Sequence, residues 1–158
     1  MADSGSIRLA DLLDRGALLP DLQAGAKDAV LRQIVAALAE KHADLDGEAA
    51  LQSLLEREQL GSTGVGEGVA IPHAKIDVPE VLAALARCPE GVDFEAVDGE
   101  RVKLFFVLLT PRGEPALHLK ALARVSRILG GAELRAELLG CETGEALHQA
   151  VRALEQRL

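Results

Sequence analysis

The segment "RVKLFFVLLTP", Arg101 to Pro111, restricts the possible folds of this chain more than any other. From Val102 to Leu109 only Lys103 interrupts the apolar side chains. Successive side chains of an extended strand point to opposite faces, so this run has no polar side to turn to water. It predicts a strand buried on both faces, and with it a sheet that has other structure packed above and below.

The remaining sequence can supply that cover. Between Lys27 and His42, the residues Val30, Leu31, Ile34, Val35 and Leu38 follow the i, i+3, i+4 spacing of a surface helix. Asp46 offers an N-cap to a second helix in "GEAALQSLLEREQL", with Ala50, Leu51, Leu54 and Leu55 on one side and Gly61 placed to stop it. After Glu114 the helical period returns through Leu117, Leu119, Leu122, Val125 and Leu129, ending at Gly130-Gly131. A shorter helix is expected from Ala132 to Leu139. Thr143 then caps a last one with Leu147, Val151 and Leu154 inward and Glu145 in its first turn.

The segment "VLAALARC", residues 81–88, predicts a strand: it is short, lacks a helical stripe and lies between Pro79 and Pro89. Val92, Phe94 and Ala96 alternate before an Asp98-Gly99 turn and suggest another. Leu9, Leu12 and Leu13 form a short amphipathic piece ending near Gly16, and residues 1–6 read as a flexible tail. A length of 158 residues suits one domain, here 7–158. The expected architecture is a single α/β domain, a central mixed β-sheet flanked by helices on both sides.

Composition removes several classes of function. A net charge of −8 argues against a nucleic-acid partner, and with no Trp or Tyr the chain lacks stacking platforms for single strands. Cys88 and Cys141 stand apart without metal-type spacing, so they read as buried apolar residues of a reducing compartment, and no metal or cofactor is expected. The beginning, "MADSGSIRLADLLDRG", is acidic where a secretion signal is basic, and no run reaches the roughly 18 apolar residues of a membrane span. The expected location is the cytoplasm, with no embedding in a membrane.

The stretch with chemical promise is "LGSTGVGEGVAIPHAK", Leu60 to Lys75. Its glycines allow backbone N–H groups to approach an anion, Ser62 and Thr63 add hydroxyls, and Arg57 ends the preceding helix. Val69, Ile71 and His73 share one face of an extended segment. Pro72 cannot donate to a ladder, which sets this strand at an edge or His73 at its frayed end. The loop matches neither of the common nucleotide-binding glycine patterns. On spacing alone, a phosphate-handling His73 and a surface His73 after a mobile connection stay equally open. Of the other histidines, His42 and His148 read as ordinary. His118 lies on the inward face of its helix with Leu122, Val125 and Leu129, where a hydrogen-bonded core role is the usual one.

The stretch "REQLGSTGVGEGVAIPHAK" resembles the active-site signature of the type-2 enzyme IIA components of the bacterial phosphoenolpyruvate-dependent phosphotransferase system. The resemblance rests on Arg57-Glu58, Leu60-Gly61, the Gly64, Gly66, Gly68 ladder and Ala70-Ile71-Pro72-His73, and "GSTGVG" is most similar to the nitrogen-regulatory branch. It implies that His73 accepts phosphate from a phosphohistidine of HPr or its nitrogen-branch homologue. It also implies that His118 stabilises the phosphoryl group, and that Arg57 neutralises charge or contacts a partner. Gly61, Ser62, Thr63 and Glu67 would form the phosphoryl-binding loop. Glu67 coincides with a carboxylate of the mannitol type, where the nitrogen branch more often has an amide; its plain alternative is a solvated turn residue. Ala74 replaces the usual glycine, which suggests that this position does not need a positive φ.

With no IIB, IIC or HPr-like segment in the sequence, the reading leans to a stand-alone regulator acting on target proteins. A sugar-transport component that passes phosphate to a IIB component is the alternative. An interaction module never phosphorylated and a small nucleotide- or phosphometabolite-binding protein remain as readings of other classes.

Overall fold

The computed structural model describes residues 7–158, and the expected tail, residues 1–6, lies outside them. Twelve elements follow in chain order: α1 (Leu9–Asp14), β1 (Ala17–Leu19), α2 (Lys27–Lys41), α3 (Gly47–Gln59), β2 (Gly64–Gly66), β3 (Val69–Ala70), β4 (His73–Ile76), β5 (Leu82–Val92), β6 (Val102–Pro111), α4 (Pro115–Leu129), α5 (Ala132–Leu139) and α6 (Gly144–Gln156).

One mixed sheet carries the order β1-β5-β6-β3-β2, with β4 also paired to β6. β6 is its central strand and is buried from Leu104 to Pro111. Its alternation sorts the core into two layers. Phe105, Val107 and Leu109 join Leu31, Ile34, Leu38 and Leu54 of α2 and α3. Leu104, Phe106 and Leu108 join Leu13 of α1, Val125 and Ile128 of α4, and Leu147 and Val151 of α6. Helices therefore cover both faces, as the apolar run demands.

β3 and β4 lie along the same edge of β6, both parallel to it. Val69 pairs with Leu104 and His73 with Leu108, so the register does not slip across Ile71-Pro72. Pro72 has no N–H to give, yet its carbonyl accepts from Leu108 N at 3.0 Å. One extended segment is thus interrupted at the residue just before His73.

Two local expectations change. Val92 ends β5, whereas Phe94 and Ala96 lie in irregular chain while remaining buried. The Asp93 carboxylate accepts from Glu95 N at 3.1 Å and Glu95 has φ 54°, which turns the backbone away from a ladder. Their alternation records contact with the core, not strand pairing. β1 is new: three residues that pair in parallel with Ala84–Ala86, too few to leave a periodic signal. The segment 81–88 is the strand expected, running on as β5 through an irregularity between Arg87 and Val92 that accommodates Pro89.

Candidate functional site

In β4, Ala74 and Ile76 point into the core beneath α2 and α3, so His73 and Lys75 take the opposite face. That is the face on which α4 packs, and α4 carries His118 four residues into its length. The two imidazoles meet with ring centroids 5.4 Å apart, tilted by 55°. α3 arrives from the other layer and ends beside the same edge, bringing Ser53, Glu56 and Arg57. Together with Leu60, Lys75 and Arg112 these residues line an open cleft of ≈ 490 Å³.

His73 is half-buried, and its Nδ1 lies 2.7 Å from the Ile71 carbonyl oxygen. A carbonyl only accepts, so Nδ1 carries the proton and Nε2 keeps its lone pair. His118 is buried, with its Nδ1 2.5 Å from Thr110 Oγ1. Thr110 pairs with Lys75 across the β4–β6 ladder, which brings its hydroxyl to the His118 side. The Arg57 guanidinium donates to Gly61 O at 2.9 Å.

Burial lowers the pKa of His73 below its ordinary value of 6.5, and the Arg57 charge adds to this; the bond to Ile71 O and the Glu58 charge oppose it. His118 is lowered too, by burial first and then by His73 and Lys75. Both rings are therefore neutral near pH 7. The site offers one unprotonated ring nitrogen, a second imidazole beside it and three cationic side chains, Arg57, Lys75 and Arg112, in a chain whose net charge is −8. Such an arrangement can attract and hold a dianion next to a nucleophile.

The family described as "Phosphoenolpyruvate-dependent sugar phosphotransferase system, EIIA 2" matches residues 11–153. The chain belongs to this family. A nitrogen regulatory protein of Bradyrhizobium diazoefficiens is 39% identical over 147 residues, covering 90% of this chain and 94% of the relative. A fructose-specific EIIA component of Haloferax volcanii is 42% identical over 107 residues, 67% of this chain and 70% of the relative. The crystal structure of nitrogen regulatory protein IIA-Ntr from Neisseria meningitidis superposes with a TM-score of 0.80 at 30% identity, covering 90% of this chain and 98% of that one. The expected family and fold class are thereby established.

The structure brings His73, His118 and Arg57 together around one cleft. It does not bring the glycine loop into it. Gly61, Ser62 and Thr63 are not among the residues that line it, and several N–H groups of the loop are engaged elsewhere: Gly61 N and Thr63 N donate to the Glu58 carbonyl and carboxylate, and Gly64 N to Ser62 Oγ. The Ser62 hydroxyl donates to Phe94 O at 2.6 Å. Glu67 lies in a left-handed turn at φ 57°, its N–H held by Asp98 and its exposed carboxylate 3.8 Å from Arg135, along a different cleft. The plain reading of Glu67, a turn residue, fits this placement.

Close packing accounts for one of the glycines: a Cβ on Gly64 would stand 2.8 Å from that of Ala96. Ala74 is buried in β4 without positive φ, its methyl in the core, so the missing glycine is not missed by the backbone. Sequence reasoning passed over Lys75, Arg112 and Thr110, which only strand pairing and cleft geometry reveal. Lys75 alone carried a usable signal, its spacing of two from His73.

Proposed function

We propose that the protein is a phosphocarrier whose His73 takes a phosphoryl group from the phosphohistidine of an HPr-type donor. The observation that carries this reading is the imidazole pair in the cationic cleft, with His73 Nδ1–H bound to Ile71 O and Nε2 free to attack. In the reaction the donor's P–N bond breaks as the Nε2–P bond forms, and the donor imidazole leaves with the electron pair. His73 has no proton to lose from Nε2. The positive charge that grows on its ring is met by the Ile71 carbonyl.

The transition state of such a transfer is loose, so the protein's task is placement and charge. The Thr110 hydroxyl can rotate to donate to His118 Nδ1, which leaves Nε2–H of His118 as a donor to the phosphoryl oxygens. Arg57 balances their charge, and exposed Leu60 beside the cleft gives a partner an apolar foothold. Ser62, Thr63 and Gly61 hold the wall that presents Arg57.

The length and coverage of the match to the Bradyrhizobium protein support a nitrogen-regulatory role, with target proteins downstream. The Haloferax relative supports the second reading, phosphate passed to a IIB component in sugar uptake.

The test is transfer of radioactive phosphate from phosphoenolpyruvate through the two upstream proteins. His73→Ala should take up no label, and His118→Ala should be labelled but pass phosphate on poorly. Full labelling of His73→Ala would overturn the assignment.

A further inference from the structure

Glu58 is buried, yet the reaction just described gives it no part. Its carboxylate receives Thr63 N at 3.2 Å and the Thr63 hydroxyl, and it pairs with Lys27 Nζ at 3.2 Å. Thr63 O in turn accepts from Ile71 N at 3.0 Å. The Ile71 carbonyl then accepts from His73 Nδ1 at 2.7 Å. An ion pair followed by a series of hydrogen bonds therefore links the first residue of α2 to the reacting imidazole.

We propose that Glu58 is a positioning residue for His73, acting through Thr63 and Ile71 to keep the ring proton on Nδ1. The inference rests on His73 being the phosphoryl acceptor. Thr63 holds the peptide that enters Ile71, while Leu108 holds the one that leaves Pro72. The Ile71 carbonyl lies between these two anchors, and its direction follows from both. The carbonyls of Gly68 and Pro72 face β6, so strand alternation turns the polar backbone groups of Ile71 away from it and their anchor comes from outside β6. Glu58 provides it: a carboxylate accepting two bonds from a single residue fixes that residue's orientation as well as its distance. If Thr63 drifts, Ile71 O leaves Nδ1 and the ring can move its proton to Nε2. A ring in that form has no lone pair where attack must begin.

The experiment uses the whole chain with ¹⁵N-labelled histidine, and the variants Glu58→Gln, Thr63→Val and Thr63→Ser. The first presents an NH₂ group to donors that now meet a carboxylate oxygen. The second keeps the shape of threonine without its hydroxyl, and the third restores the hydroxyl. Ring ¹⁵N shifts of the unphosphorylated proteins report the tautomer, and the rate of phosphate uptake from a phosphorylated HPr-type donor reports the reaction. Backbone spectra identify the variants that keep the native fold.

Wild type and Thr63→Ser should hold the Nδ1–H form. Thr63→Val and Glu58→Gln should show Nε2–H populated and uptake slowed roughly tenfold or more, the scale of losing an outer orienting partner. Natively folded Thr63→Val with the wild-type tautomer overturns the inference, whether or not its rate falls. A wild-type protein that takes no phosphate on His73 sinks the proposed function instead, while the tautomer measurement still judges Glu58.

Discussion

His73 and His118 are both held below the ordinary histidine value of 6.5, each chiefly by burial. The sign of the consequence follows from proton counting. Between the lowered folded values and 6.5 the unfolded chain binds more protons than the folded one. Stability therefore falls as pH drops from above 6.5 through the folded values, and levels off beneath them. The nucleophile follows the same curve: phosphate uptake should stay flat from pH 8 to 6.5 and decline only below. An NMR titration of the His73 ring checks this directly, and a midpoint above 6.5 would contradict it. At this scale His73 was legible as a candidate, because a motif and a proline marked it. Thr110 was not: it lies at the end of an apolar run, and its contact with His118 exists only once α4 folds back onto β6.

Helix α3 lines the cleft with Ser53, Glu56 and Arg57 and supplies Glu58 to the contacts behind it. Its N-cap is Asp46, whose carboxylate accepts from Ala49 N at 3.1 Å, and its last turn delivers Arg57 and Glu58 to opposite sides of the loop that follows. Asp46→Ala should cost about 1 kcal/mol of stability in urea titration, the usual loss for such a cap, with phosphate uptake little changed. The cap is two turns or more from the residues that matter, so a large loss of uptake would mean that α3 responds as one rigid lever. The Asp46 cap and the Gly61 stop were both readable in the sequence, since capping is local chemistry. That the loop does not line the cleft was hidden for a related reason. Glycines that permit a tight backbone look the same in sequence whether the freed N–H groups face an anion or the protein itself.

For the whole molecule, the central strand is the keystone of two cores at once. Phe105 lies in the α2–α3 layer, edge-on to Phe94 at 5.3 Å between centroids, and Phe106 in the layer of α1, α4 and α6. Each is fully buried. Phe105→Ala and Phe106→Ala should each cost about 3–5 kcal/mol, the range for truncating a buried aromatic. Denaturant titration followed by signals from both layers should show one transition in each variant; loosening of a single layer would mean that the two cores are independent. Within the second of these layers, α1, α4 and α6 are also tied to one another. The buried Glu155 of α6 accepts from Leu9 N and Ala10 N at 2.8 and 2.9 Å and pairs with Arg124 of α4.

Hydrophobic period and capping chemistry act over a few residues, so the helices α2, α3, α4 and α6, the central strand and the presence of layers on both faces could be stated before any coordinates. Distance in the chain hides the rest. His73 and His118, or Glu58 and Thr63 with Ile71, meet because a parallel pairing with β6 sets which face each side chain takes, and no local pattern encodes that register. The short β1, the occupied amides of the glycine loop and the series of bonds behind His73 were decided by tertiary packing alone, because each depends on a partner that only the folded chain brings near.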